Sequence, residues 1–292
     1  MMMNDSKKMD ALVSWIERAC MNEKHRKMWQ EASLDMIPDP NSVCSDRILV
    51  CKSPLKKYHR LPIPLNCILT EDVVSSSAVG QVFSNLDRYT LFAMFIIGEQ
   101  RKGSASYWAH YIDILPRDIK FHPITFHSRL ETTIDLKEEV AKHELLARAL
   151  EAQREKLKSE FNQVLFLLQS EKQGLVPLLT NNPPSMDEFL WASCMIISRA
   201  FELENPNLMC MLPFVDSMNH ASVHTTVQLR PKLVQNHFIV TISQNLDENS
   251  ELTFNYHGSA GAASRLDELK EYVMYGFSER GTFKEVSRLL MI

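Results

Sequence analysis

Side chains able to do chemistry are concentrated in one short stretch, DSMNHASVH, from Asp216 to His224. His220 and His224 are four residues apart, so on a helix both imidazoles would lie on one face, as in the HExxH zinc motif. The residues between them are Ala, Ser and Val, so the general-base glutamate of that motif is missing. No third ligand is evident in the sequence. We therefore expect no metal site in this stretch.

The same stretch offers the residue types of a nucleophilic triad in Asp216, Ser217 and His220. A triad requires convergence in space rather than proximity in sequence, and its common GxSxG elbow is absent from the chain. The sequence therefore supports a hydrolase even less than a metal site.

Composition excludes several other classes. The 292 residues include only 8 glycines against 13 prolines, and neither GxGxxG nor GxxxxGK[ST] occurs, so the common nucleotide-binding loops are missing. The net charge of −4 gives no basic excess for nucleic acid, and no direct nucleic-acid binding is expected. No apolar run approaches the roughly 20 residues that span a bilayer, so no membrane association is expected. Six cysteines without a CxxC pair, in a chain lacking a secretory signal, indicate an intracellular protein, cytoplasmic or nuclear.

Periodicity predicts the elements that must position the polar stretch. Apolar residues recur with helical spacing over 9–30, where Leu12, Trp15, Ile16 and Cys20 share a face. Residues 47–70 read as extended, with prolines suited to strand edges. A helix is predicted over 85–100, ending at Gly103, and the residues 131–172 are predicted to form one helix or two. A capping box formed by Ser185 and Glu188 predicts the start of another helix, and a last helix is predicted over 266–277. Strand patterns follow Pro206, so β-rich ends flank a helical centre.

Several motifs, taken in order, resemble those of the SET domain family of protein methyltransferases. LPFVDSMNH is followed about thirty residues later by ELTFNYHG and then by a helix ending in YGF. Two upstream segments, LFAMFIIGEQRKGSASYWAHYIDILP and FLWASCMIISRAF, resemble the subfamily that contains Rubisco large-subunit methyltransferase and its animal relatives. Each motif is weak by itself, but ordinary core packing does not explain their joint order.

The resemblance implies an α+β fold, in which the short sheets and pseudoknot of a SET domain are interrupted by a large helical insertion. It implies an N-terminal helical segment over 1–45, a SET domain over 46–280 with its insertion at about 117–200, and a short tail over 281–292. The helical substrate-binding domain that most members carry after YGF is expected to be missing.

The resemblance also implies a function, the transfer of a methyl group from S-adenosylmethionine to a lysine of a protein substrate. Tyr256 would be the catalytic tyrosine of a narrow aromatic lysine channel, and would orient the amine rather than act as a bulk base. The residues implied for the cofactor are Arg199 at its carboxylate, Asn219 at its amino-acid end, His220 at the adenine side, Asp216 as anchor of the segment, and Phe277 closing the adenine or channel side.

Two positions bear on the substrate. The branch of this subfamily that methylates histidine has an Asn two residues after the cofactor-binding arginine and a Trp before the Asp of the Asn-His motif. Here these positions are Phe201 and Val215, as in the lysine-modifying relatives. The resemblance therefore implies lysine as the target, with both residues at the substrate.

The chain departs from the family at a glycine-rich turn (GRGL or GFGL) that approaches the cofactor. The turn aligns near Asp46 to Leu49, where neither glycine is present, and side chains there are expected to crowd the cofactor. His257 also separates the tyrosine from Gly258, which normally follows it directly. The alternative is therefore a catalytically degenerate SET-fold protein that binds a partner as a scaffold module.

Overall fold

The computed structural model describes residues 4–40, 47–117, 122, 142–204, 207–221, 223–256 and 273–274. The helices are α1 (Asp5–Ala19), α2 (Glu23–Ala32), α3 (Glu71–Ser75), α4 (Ala78–Phe83), α5 (Arg88–Lys102), α6 (Ala109–Ile114), α7 (Glu144–Ser170), α8 (Pro177–Thr180) and α9 (Met186–Arg199). The strands are β1 (Leu34–Pro38), β2 (Arg47–Cys51), β3 (Arg60–Pro64), β4 (Leu69–Thr70), β5 (Ala200–Glu204), β6 (Asn207–Met211), β7 (Asn219–His220), β8 (Val227–Val234), β9 (His237–Ile242) and β10 (Thr253–Phe254).

The chain divides into two compact units. The first comprises Met1–Val73, Ser104–Leu115 and Arg199–Ser259 and contains every strand that the structure describes. The second comprises Val74–Gly103, Pro116–Ser198 and Ala260–Ile292, and its described elements are helical. The predicted boundaries of N-terminal segment, SET domain, insertion and tail stay predictions.

Short sheets build the first unit. β1 pairs with β2, β3-β9-β8 and β4-β6-β5 form two three-stranded antiparallel sheets, and β7 pairs with β10 in parallel. β3 lies at the edge of its sheet, which suits Pro62 and Pro64 because proline has no N–H to donate to a second neighbour. Both the α+β prediction and the prediction of edge prolines are confirmed.

The N-terminal helical pattern folds as two helices rather than the single pattern predicted over 9–30. The predicted apolar face is confirmed in α1, where Leu12 and Ile16 are fully buried. α2 starts afresh at Asn22, whose side-chain oxygen accepts a hydrogen bond from the Lys24 N–H at 2.8 Å. A side-chain cap of this kind begins a new helix because it satisfies a backbone donor that lacks a partner within the helix.

Local signals set the helices of the second unit. α5 ends at Gly103, as predicted, and this glycine adopts φ +55°. The Ser185 N–H donates to Glu188 Oε2 at 2.9 Å and the Glu188 N–H donates to Ser185 Oγ at 3.2 Å, which confirms the capping box before α9. α7 is the described part of the helix predicted over 131–172, because residues 131–141 lie outside the described residues. Most of the helix predicted over 266–277 also lies outside them. Among the described helices, none combines the length and the apolar character that crossing a membrane requires.

Candidate functional site

The parallel pairing of β7 with β10 brings the polar stretch to the tyrosine. Asn219 stands opposite Thr253 and His220 opposite Phe254, so two segments separated by about thirty residues run side by side. The Tyr256 backbone N–H then donates to His220 Nδ1 at 3.0 Å, and the two rings meet edge to face with centroids 5.0 Å apart. Because Nδ1 accepts this bond, a neutral His220 carries its proton on Nε2. The stretch is extended here, so His220 and His224 do not share a helical face as a zinc motif would need.

A strained turn leads the chain into β7. Phe214 adopts φ 78° and ψ −49°, a conformation that costs a bulky residue about 1–3 kcal/mol. Its buried ring packs edge-on against Trp29 at 5.0 Å, and the Trp29 indole N–H donates to the Pro62 carbonyl at 2.8 Å. The 3₁₀ turn Val215–Ser217 follows directly. Packing of Phe214 against Trp29 therefore holds the turn that carries Asp216 into the interior.

Asp216 is a buried carboxylate with one satisfied oxygen. The Tyr111 hydroxyl donates to Asp216 Oδ2 at 2.5 Å, whereas Oδ1 is buried with no partner among the described residues. Burial raises the pKa of Asp216 to about 6, and the opposing attraction of Arg199 and the bond from Tyr111 limit the rise. Burial also holds the pKa of Tyr111 well above its ordinary value, so Tyr111 remains a donor. The carboxylate bonds to Tyr111 rather than to His220, and the arrangement of a catalytic triad is not formed.

Arg199, the last residue of α9, meets the same turn. Its Nη1 donates to the main-chain carbonyl of Asp216, while its Nε is buried without a partner in the part of the chain that the structure describes. A buried donor left unpaired costs about 1–3 kcal/mol unless a ligand supplies an acceptor. An anionic ligand group such as a carboxylate could supply the acceptor that Arg199 Nε lacks.

Asn219 offers the complementary chemistry. Its Nδ2 donates to Glu251 Oε1 at 2.9 Å and to the Arg47 main-chain carbonyl at 3.2 Å. These two bonds use both amide hydrogens, which leaves the amide oxygen as the end that can meet a ligand. Asn219 lies three residues after Asp216, to whose carbonyl Arg199 is bonded, so an acceptor and an unpaired cationic donor are attached to one short segment. These two groups could hold the ammonium and the carboxylate of an amino-acid group.

An aromatic row extends from Tyr256. Its ring lies 4.7 Å from the ring of Phe254, which in turn lies 5.8 Å from Phe201. The Tyr256 hydroxyl donates to the Met218 carbonyl at 2.7 Å, so the ring is anchored at its polar end. Sequence reasoning missed Phe254, although residues two apart on an extended segment share a face and ELTFNY contains that signal.

Arg47 lies in the segment that aligns with the glycine turn of the family, and the expected crowding of the cofactor there stays a prediction. Its Nη1 pairs with Asp5 Oδ1 at 3.1 Å and its Nη2 donates to the Ile114 carbonyl at 3.0 Å. The guanidinium is thus tied to α1 and the end of α6 instead of being free to move. Burial lowers the pKa of Arg47 and the positive charge of Arg199 lowers it further, whereas Asp5 opposes both.

The remaining predicted site residues are either buried or outside the described residues. Val215 is fully buried in the turn before β7, and a contact with substrate stays a prediction. Asp46, His257, Gly258 and Phe277 lie outside the described residues. Besides Phe254, sequence reasoning missed Glu251 and Asp5, which only the strand register and the folded helix bring to the site.

Comparison with known proteins gives relatives in sequence and in fold, although no family model matches the chain. The ribulose-1,5-bisphosphate carboxylase/oxygenase large subunit N-methyltransferase of Pisum sativum is 30% identical over 176 residues, 57% of this chain and 31% of that protein. SET domain-containing protein 4 of Mus musculus is 26% identical over 199 residues, 62% of this chain and 42% of that protein. The alignments thus span well under half the length of these relatives.

Solved structures extend the likeness over most of the chain. The SET domain of LSMT bound to lysine and AdoHcy matches with a TM-score of 0.69 and 20% identity, covering 94% of this chain and 57% of that one. Rubisco LSMT bound to AdoMet matches with a TM-score of 0.67 and 21% identity, covering 93% of this chain and 56% of that one. The chain therefore has the fold of the LSMT SET domain, and part of it is similar in sequence to the Rubisco large-subunit methyltransferase of Pisum sativum.

Proposed function

We propose that the chain is an S-adenosylmethionine-dependent protein-lysine N-methyltransferase. The observation that carries the proposal is the β7–β10 pairing, which places Tyr256 against His220 one residue from Asn219. Support comes from the relatives described above, among them the ribulose-1,5-bisphosphate carboxylase/oxygenase large subunit N-methyltransferase of Pisum sativum.

Two side chains would hold the amino-acid end of the cofactor. Arg199 would donate its unpaired buried Nε to the carboxylate, and Asn219 would accept from the ammonium through its amide oxygen. Asp216 and Tyr111 would hold the turn to which Arg199 is bonded. When bound, S-adenosylmethionine supplies a methyl group activated by its sulfonium.

The aromatic row would prepare the lysine. An ammonium has no lone pair and cannot accept a methyl group, so the lysine must be neutral, although its ordinary pKa is near 10.4. The rings of Phe201, Phe254 and Tyr256 would form an apolar surface that excludes water from the amine and so favours its neutral form.

Tyr256 would orient the amine. Since its hydroxyl donates to the Met218 carbonyl, it can meet an amine only as an acceptor. It would hold one amine N–H and leave the nitrogen lone pair directed at the methyl group. Alignment of this kind, rather than proton removal by the phenol, is the contribution we assign to Tyr256.

Calorimetry with S-adenosylmethionine tests the proposal first. We expect binding in the micromolar range by the folded chain, and the absence of measurable heat with folded protein would reject the enzyme. The second test is Tyr256→Phe, assayed by transfer of a labelled methyl group to a library of lysine-containing peptides. The variant should lower kcat about 100-fold and change the Kd of the cofactor less than about threefold, because it removes only the orienting oxygen.

Tyr58→Phe is the matched control, since Tyr58 is 69% exposed and lies in a surface loop. It should retain the activity of the unmodified chain. Equal activity in both variants would remove Tyr256 from the catalytic machinery.

One observation favours the second candidate, a SET-fold module that binds a partner without catalysis. β2 carries Arg47 and the fully buried Leu49 where glycines would open the family's cofactor turn, and Arg47 is fixed by Asp5. A folded chain that fails to bind cofactor but is recovered with a stable partner would support this candidate.

A further inference from the structure

The orientation of the Asn219 amide is fixed by chemistry. Its two partners, Glu251 Oε1 and the Arg47 carbonyl, are both acceptors. A flipped amide would place its oxygen against both acceptors, so that two hydrogen bonds would be replaced by two repulsive contacts. The oxygen of Asn219 is therefore held on the opposite side, where the structure describes no hydrogen-bond partner for it.

Glu251 is itself held by β2 and not by the strand that carries Asn219. It forms an isolated antiparallel bridge with Val50, and the residues on either side of it bond to the same strand. The Cys51 N–H donates to the Ser250 carbonyl at 3.1 Å, and the Leu252 N–H donates to the Leu49 carbonyl at 2.7 Å. The Glu251 carbonyl accepts from the Thr226 hydroxyl at 2.9 Å. The carboxylate therefore reaches Asn219 from a clamped backbone.

The bond from Asn219 to Glu251 is stronger than one between neutral groups if the carboxylate is charged. Burial raises the pKa of Glu251, a nearby Asp39 adds to the rise, and the bond from Asn219 opposes it. Accepting electron density through its N–H makes the amide oxygen of Asn219 a better acceptor in turn. The pair thus prepares Asn219 for a cationic donor and not for an anion.

We propose that Glu251 is a positioning residue that locks the Asn219 amide with its oxygen toward the ammonium of the cofactor, an inference that rests on the proposed function. Glu251 touches neither cofactor nor substrate in this role. Its contribution is to make the acceptor of the site available without reorganisation when the cofactor arrives.

The first experiment measures cofactor binding and turnover in Glu251→Met and Glu251→Gln. Methionine keeps the length of the side chain and removes the acceptor, so we expect about tenfold weaker binding of S-adenosylmethionine with kcat at saturation within about twofold. Glutamine restores an acceptor oxygen and should recover most of the affinity. Glu248→Met is the matched control, because Glu248 is exposed on the same loop before Glu251, and it should bind as the unmodified chain does. A kcat loss with unchanged affinity would overturn the proposal.

The second experiment needs no cofactor. A double-mutant cycle with Asn219→Ala and Glu251→Met, followed by urea unfolding, should show the two positions coupled by about fivefold in the unfolding equilibrium constant. Additive effects would overturn the positioning role whatever the activity of the chain. Coupling in a chain that binds no S-adenosylmethionine would reject the proposed function while leaving the fixed orientation of Asn219 in place.

Discussion

Two parts of the candidate site differ in how completely their polar atoms are paired. The amide part, made of Asn219, Glu251 and the Arg47 carbonyl, has a partner for each amide hydrogen. The guanidinium part, made of Arg199, Asp216 and Tyr111, leaves Arg199 Nε and Asp216 Oδ1 buried and unpaired among the described residues. The first part has all its amide hydrogens paired before a ligand arrives and leaves only an acceptor oxygen open, whereas the second leaves a buried donor and a buried acceptor unpaired.

This difference has an energetic meaning. Each buried unpaired group costs about 1–3 kcal/mol, which a folded chain tolerates where a ligand recovers the loss. On the proposed function, the amide part would therefore contribute orientation, and the guanidinium part would contribute most of the change in free energy on binding. Substitutions in the two parts should separate accordingly, with large effects on affinity in one and small effects in the other.

The largest expected effect follows removal of the cation in Arg199→Gln. We expect the affinity for S-adenosylmethionine to fall about a thousandfold, ~4 kcal/mol, because a carboxylate bound there would lose its charged partner in a buried position. Calorimetry at low salt measures the loss. Arg230→Gln is the control, since Arg230 is exposed on β8. Affinity within threefold of the unmodified chain in Arg199→Gln would contradict the assignment and make the two parts equivalent.

The next effect concerns the pH dependence of stability at Asp216. Its folded pKa of about 6 lies above the ordinary value of 3.8, so between these values the folded chain holds a proton that the unfolded chain has lost. Stability from this residue therefore falls as the pH rises from about 4 to 6, by about 3 kcal/mol, and is constant above that. Asp216→Asn keeps an acceptor for Tyr111 and should remove this fall. Urea unfolding at a series of pH values measures the difference between the two chains.

Tyr111→Phe sharpens the same measurement. The bond from Tyr111 lowers the pKa of Asp216, so its loss should raise that pKa and extend the fall in stability to higher pH. If the free energy of unfolding depends on pH in the same way in the unmodified chain and in Asp216→Asn, burial does not destabilise the carboxylate of Asp216. The contrast between the two parts of the site would then depend on Arg199 alone.

Sequence and structure agree most closely where local chemistry decides. Gly103 and the pair Ser185 and Glu188 end and begin helices through backbone conformation and hydrogen bonds within a few residues, which the sequence displays directly. The break between α1 and α2 at Asn22 is of the same kind, and the capping side chain was the available signal. The α+β fold was predicted from the order of the family-like motifs along the chain, which restricts the possible topologies more than the periodicity of apolar residues does.

In the candidate site, some residues were predicted from the sequence and others were not. The resemblance implied that Asn219 and His220 bind the cofactor and that Tyr256 is catalytic. The structure brings the three residues together, and their roles stay predictions. Glu251 was not found, because its contact with Asn219 depends on the register of the segment 250–252 on β2. The register between distant strands is set by packing of the whole unit, so it cannot be deduced from a single sequence.

The smallest expected effect tests whether Arg47 serves the site through its backbone or its side chain. Its carbonyl holds Asn219, while its guanidinium pairs with Asp5, whose side chain is 36% exposed. Asp5→Asn should therefore cost at most about 1 kcal/mol of stability, less in 1 M salt, because solvent and ions screen a partly exposed pair. The affinity for S-adenosylmethionine should change less than about twofold, since the carbonyl is untouched. A loss of affinity above tenfold in Asp5→Asn would show that the guanidinium of Arg47 acts with Arg199, and the boundary between the two parts of the site would have to be moved to include it.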